Sequence, residues 1–219
     1  FSNFKSIKIN FLLTIKLISS PGYKKNVSFR RIYDHIILAY NLSKILKTIN
    51  EKPDYIIIGY PPIETSYVLI NWALRYKVKT IIDVKDQWPE NFITPFPKYL
   101  RPLSRLILQP YFFIARYIFN KSNYISTISK GFEEWISSLI KPDLKEKIFL
   151  APLTSPLIEM NKKNYQITKS WWENQGLFQD KKIICFVGSL SRAFDFKPIQ
   201  SLMQFLSDKN LDVNLVICG

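Results

Sequence analysis

A chain of 219 residues exceeds one typical domain and falls short of two full-sized ones, and with 47% apolar and 15% aromatic residues and no repeat it is not a disordered chain. Two cysteines on a chain this long, both inside apolar runs, argue against a disulfide framework and fit a reducing, cytoplasmic setting. The formal charge of +14 is uneven: residues 1–50 carry nine Lys/Arg against the single acid Asp34, and residues 91–132 carry six against none.

Both basic segments alternate bases with bulky apolar residues, as in FKSIKINFLLTIKLIS at the start and YLRPLSRLILQPYFFIARYIFNK later. Lys8 and Lys16 interrupt the first, and Gln109, Pro110 and Arg116 the second, so neither offers the ~20 apolar residues of a bilayer span. Each is read either as an amphipathic helix with solvated bases or as a face held at an anionic membrane surface. Nucleic acid ranks last, since no RNA-binding signature, zinc-finger spacing or helix-turn-helix accompanies the charge.

Apolar residues at Ile32, Ile36, Leu42, Ile45 and Ile49 predict a helix over 30–49 that ends before Pro53. YIIIG at 55–59 predicts a strand, 65–76 a helix and KTIIDV at 79–84 a second strand. A long helix is expected over 102–120, with Pro110 kinking or splitting it. YISTI at 124–128 is a strand, Ser129 is positioned to cap the following helix through its side chain, and KIFLAP at 147–152 is again a strand. From 155 to 182 the periodicity fades, which predicts a linker. IICFVG, a helix near 197–207 and VNLVIC then restart the pattern, with Cys185 and Cys218 expected in core strands.

Strands that are apolar throughout, separated by helix-length crossovers, predict a doubly wound α/β domain with a parallel sheet covered on both faces. The expected division is an α/β domain over 1–160, a linker over 161–180 and, over 181–219, the first β-α-β of a second Rossmann-like domain. The chain begins without Met and stops where the next helix is due, so a fragment cut at both ends is expected.

Ligands of open parallel sheets sit outside the carboxyl ends of the strands. Two stretches leave strands at that edge: Tyr60, Pro61 and Pro62, and DVKDQWPENF from Asp83 to Phe92. Asp83 is expected to cap neighbouring backbone N–H groups. Asp86, beyond the strand, is suited to take a proton from a substrate hydroxyl, with Lys85 pairing it or a phosphate. Trp88 is most simply a packing residue, although a ring beside a crevice also suits a sugar or lipid edge. The lone His35 lies on a helix face and is expected to pack or face solvent.

YPPIETSYVLINWALRYKVKTIIDVKDQWPENF, then SNYISTISKGFEEW, then IICFVGSLSRAFDFKPI resemble in order and spacing the family 4 glycosyltransferases that build bacterial surface polysaccharides. The resemblance implies a two-domain GT-B enzyme, retaining and metal-independent. Its N-terminal domain would take the acceptor and its C-terminal domain a nucleotide sugar as co-substrate, with no cofactor. The absence of Asp-x-Asp agrees with a metal-free site. By that likeness Tyr60, Pro61, Lys85, Asp86 and Trp88 line the acceptor side, and Ser129 and Lys130 match the turn at the domain cleft. Gly188 and Ser189 match the glycine turn that approaches the donor diphosphate, with Arg192 and Lys197 near the positions of its cationic partners. Many relatives carry a histidine where Lys85 stands, and the asparagine-glycine turn after the strand near Pro152 is here APLTSP.

The resemblance therefore implies sugar transfer to a lipid-linked or polysaccharide acceptor, by a protein peripheral to the cytoplasmic face of the membrane. Two other readings remain open. One is a non-catalytic glycosyltransferase-like module that binds a membrane or a partner. The other is a nicotinamide oxidoreductase, and no G-x-G-x-x-G follows any predicted strand to support it.

Overall fold

The computed structural model describes residues 4–24, 28–155, 160–177, 182–188, 190 and 194–219. The chain divides into two compact units, Phe1–Thr154 and Ser155–Gly219.

The first unit opens with an antiparallel hairpin of β1 (Phe4–Lys8) and β2 (Thr14–Ile18) rather than an amphipathic helix. Ile7 and Ile9 recur at a period of two, and Asn10 Oδ1 accepts the N–H groups of Leu12 and Leu13, both at 2.8 Å, which fixes the turn. Phe11 and Leu12 at the tip are exposed. Helix α1 (Phe29–Leu46) is capped by Ser28, whose side chain accepts the Arg31 N–H, and it buries His35, Ala39, Ile45 and Leu46.

Strands β3 (Tyr55–Tyr60), β4 (Lys79–Val84), β5 (Tyr124–Thr127) and β6 (Ile148–Leu150) form a parallel sheet in that order. They are joined by α2 (Ile63–Tyr76), by α3 (Arg101–Ile107) with α4 (Gln109–Lys121), and by α5 (Lys130–Leu139). The long helix expected over 102–120 is split at Leu108, because Pro110 lacks the N–H that would continue it and instead starts α4 within its first turn.

This is an α/β unit with a four-stranded parallel sheet flanked by helices, a Rossmann-like arrangement. Coverage of both faces is corrected. Ile58, Ile82 and Ile125 lie on one face, sealed by Ile70 of α2, Phe119 of α4 and Ile136 of α5. Tyr55, Ile57 and Phe149, on alternate residues, are exposed. Strand order follows chain order without reversal, so right-handed crossovers deliver every connecting helix to the same face. A doubly wound sheet needs the order to reverse.

In the second unit, α6 (Lys162–Asn174) occupies the stretch expected as linker, with Asn161 capping it by accepting the Asn164 N–H. Then β7 (Lys182–Val187), α7 (Lys197–Asp208) and β8 (Val213–Cys218) form one β-α-β with the two strands parallel. Cys185 is exposed and Cys218 half-buried, both as free thiols, so neither sits in a core; the two-stranded sheet is too small to enclose one. Among the described residues no helix is long and apolar enough to cross a membrane.

Candidate functional site

At the carboxyl edge of the sheet the side chains of β4 leave in opposite directions. Val84 goes into the core, and Asp83 to the exposed face. Strand register puts Gly59, Asp83 and Ser126 in one row across β3, β4 and β5. Asp83 Oδ1 accepts the Ser126 hydroxyl at 2.8 Å, and Asp83 Oδ2 lies 3.0 Å from Lys85 Nζ. A Cβ on Gly59 would meet nothing within 4 Å, so the row is open on that side. The expected capping of backbone N–H groups by Asp83 is replaced by this side-chain trio, because the parallel ladder already occupies the neighbouring N–H groups.

Lys85 extends the ladder by one bond, its N–H donating to the Tyr60 carbonyl at 3.0 Å. Its ammonium turns back to Asp83 rather than pairing with Asp86. Asp86 instead ties its own loop together. It accepts the Gln87 N–H at 3.0 Å and the Trp88 indole N–H at 2.9 Å, and it also accepts the Asn91 amide. Three donors from within six residues make this carboxylate a loop clasp.

Beneath the loop lies a buried cluster. Trp88 is 3% exposed, stacked on His35 at 5.5 Å, tilted against Phe92 at 4.5 Å, and covered by the Arg31 guanidinium 4.2 Å above its ring. A ring enclosed in this way packs rather than holding a sugar edge. Tyr60, wholly buried, donates its hydroxyl to the Trp88 carbonyl at 2.7 Å. Burial pushes its hydroxyl well above the usual tyrosine range, and the carboxylates of Glu90, Glu64 and Asp86 add to this.

His35 Nδ1 faces Glu64 Oε2 at 3.6 Å, and Glu64 Oε1 accepts the Tyr111 hydroxyl at 2.7 Å. Burial acts to raise the Glu64 carboxyl, but His35, Tyr111 and its own backbone N–H at the start of α2 outweigh burial and hold it below its ordinary value. Burial and Glu64 both push the Tyr111 hydroxyl up.

Pro61 is half-buried in the turn between β3 and α2. Ser129 and Lys130 lie exposed at the start of α5, past the end of β5. Ser129 holds the cap position without a side-chain cap bond; its backbone carbonyl accepts the N–H groups of Phe132 and Glu133, both at 3.1 Å, in place of the expected hydroxyl cap. In the second unit Gly188 follows β7 with φ +158°, and its N–H is committed to the Cys218 carbonyl at 2.9 Å. Lys197 opens α7 with its N–H donated to Asp195 at 3.0 Å. Ser189 and Arg192 lie outside the described residues.

The structure thus brings together Tyr60, Lys85, Asp86 and Trp88 at one edge, and adds residues that sequence reasoning did not select: Ser126, Glu64, Tyr111 and Arg31. Alternation along a strand shows that Asp83 and Val84 part ways, but only register reveals that Ser126 meets Asp83. Among the described residues, no group of three or more His, Cys, Asp or Glu is placed to hold a metal ion. Compared with known proteins, the chain matches no family model and no curated protein.

Proposed function

We propose that the chain is the acceptor-side part, with the first β-α-β of the donor-side part, of a retaining GT-B glycosyltransferase. It moves a sugar from a nucleotide sugar to a lipid-linked or polysaccharide acceptor of the cell surface, at the inner face of the cell membrane. The observation that carries this reading is the trio of Asp83, Lys85 and Ser126 at the carboxyl edge of a Rossmann-like sheet, with the lysine exposed, the aspartate half-buried and the serine buried beneath them, open beside Gly59. An ammonium with three donors suits a phosphate or diphosphate, and a neighbouring carboxylate suits the acceptor hydroxyl, which gives up its proton as its oxygen bonds the sugar and the sugar's bond to the departing nucleoside diphosphate breaks. In this reading Asp86 holds the loop that carries Lys85, Tyr60 and Trp88 support it from below, and Pro61, Ser129 and Lys130 border the acceptor. Gly188 and Lys197, with Ser189 and Arg192, belong to the donor side.

The test is transfer of labelled sugar from a panel of nucleoside diphosphate sugars to extracted membrane lipids. Asp83→Asn and Lys85→Met are each expected to lower turnover by about 100-fold with folding intact. Asp86→Asn is expected to raise KM for the acceptor more than it lowers kcat. Unchanged turnover in the first two variants would remove them from the site.

A second reading, a non-catalytic glycosyltransferase-like module, is favoured by one observation: the carboxylate of Asp86, the residue beyond the strand best suited to act as a base, is bound by three donors of its own loop. Binding of a lipid-linked sugar without transfer from any donor would select it.

A further inference from the structure

Between the first turn of α1 and the segment 92–108 lies an apolar groove of about 470 Å³, walled by Phe29, Ile32, Phe96, Leu100, Leu103 and Ile107. Phe29, Leu103 and Ile107 are each more than half exposed, so the groove faces solvent, and Tyr99 and Leu106 of the same stretch are exposed as well. The same stretch supplies cations without a single acid from 91 to 132. The Arg101 guanidinium donates to the carbonyls of Phe96 and Thr94 at 3.1 and 3.3 Å, which holds a positive charge on the turn bearing Phe96. Arg105 stands 5.0 Å over the Phe112 ring, and Lys98 is exposed in the short turn before α3.

A hydrocarbon slot on a segment that also carries Lys98, Arg101 and Arg105 and no acid matches one ligand chemistry, an amphiphile with an anionic head. The tail would leave water in the slot while the anionic head is drawn to the cations of the same segment. An extended peptide fits less well. Ser28 and Ser104 are the polar residues of the lining, so the peptide's backbone N–H and C=O groups would be buried without enough partners.

We propose that this groove seats an acyl chain of an anionic phospholipid and docks the first unit on a membrane surface through α3. The proposal rests on the membrane-face reading above and gives it a location.

The experiment is co-sedimentation of the 219-residue chain with vesicles of phosphatidylcholine, alone or mixed with phosphatidylglycerol, accompanied by hydrogen exchange. Pelleting is expected with the mixed vesicles and should weaken as salt rises, with slowed exchange across 96–108 on binding. Leu103→Asp with Ile107→Asp, and separately Arg101→Gln with Arg105→Gln, should each weaken binding by about tenfold. The first pair replaces exposed side chains, so circular dichroism should be unchanged. If the mixed vesicles bind but exchange slows only at the hairpin tip 10–13, or if both double variants bind like the wild type, the groove assignment is overturned while the membrane reading stands. If neither vesicle is bound, or only an acidic peptide is, the groove and the membrane reading fall together, and the sugar-transfer assay still decides the chemistry on its own.

Discussion

The strands YIIIGY and KTIIDV of the first unit and KIICFV and VNLVIC of the second are alike in apolar character, and both pairs run parallel in full register. Their fates differ. Ile58 and Ile82 are sealed, whereas Ile183 is 47% exposed and Val187 77%. The difference lies in the layer above. Three helices converge on one face of the four-stranded sheet, while α6 and α7 of the second unit contain no buried residue. An apolar strand becomes core when enough helix surface reaches it, and about 65 residues around two strands fall short of that.

The largest effect that tests this contrast is a cavity. Ile82→Ala removes a wholly buried side chain from the centre of the sheet and is expected to cost about 2–5 kcal/mol. Ile183→Ala, at a half-exposed position, should cost less than about 1 kcal/mol. Urea unfolding followed separately in the two units measures both. Equal losses would mean that the second unit has a core comparable to the first.

Next in size is the buried polar cluster of the first unit, which has no counterpart among the described residues of the second. Glu64→Ala leaves the Tyr111 hydroxyl without its acceptor and His35 without its carboxylate, an expected loss of about 1–3 kcal/mol. Its pH signature has a definite sign. The folded Glu64 carboxyl titrates below its ordinary value, so the unfolded chain binds this proton first on acidification. The stabilisation is complete above the ordinary glutamate value and is lost as pH falls through the lowered one. Glu64→Gln should flatten the acid limb of the stability profile; an unchanged limb would detach Glu64 from the cluster.

How far these features were legible in the sequence depends on distance along the chain. The strand 79–84 emerges with its own bounds because KTIIDV is apolar and ends at a polar loop, and the break near Pro110 follows from one missing N–H. The helix 162–174 escaped because its apolar stripe is thin, Tyr165, Ile167, Trp171 and Trp172 amid polar residues, so no clear period rises above it. The gathering of the crossover helices on one face was hidden because strand order, which sends them there, is a non-local property. At the site the loop 83–92 was visible as polar residues leaving a strand. The division of labour between Asp83 and Asp86 was not, since it depends on Ser126 arriving 43 residues later and on a loop that folds back on its own carboxylate.

A smaller effect comes from Tyr60→Phe, which removes one buried hydrogen bond to the Trp88 carbonyl and should cost about 0.5–1.5 kcal/mol. The variant keeps the ring that packs on Phe119 at 4.8 Å. A loss as large as that of Ile82→Ala would mean that the hydroxyl organises the whole loop 85–91, sharpening the first unit's advantage into a polar one. Measuring sugar transfer in the same variant separates loop order from stability.

The smallest expected effect contrasts one lysine of each unit. Lys147 donates to the carbonyls of Asn120 and Ser122 at 3.1 and 2.9 Å, just before β6. Burial pulls its ammonium down to about 8, with Asp143 opposing. A lysine lowered on folding works against stability while it is charged in both states. As pH rises from about 8 toward the ordinary lysine value near 10.4, the folded chain has released a proton that the unfolded chain still holds, so stability climbs across that window. The climb should vanish in Lys147→Met. Lys169 of α6 faces Glu173 at 3.7 Å in an i,i+4 pair worth only about 0.3–0.5 kcal/mol, so Lys169→Met should cost the second unit no more than that. Unfolding midpoints of the first unit between about pH 7 and 10.5 check the climb: the same slope in Lys147→Met would detach it from this ammonium.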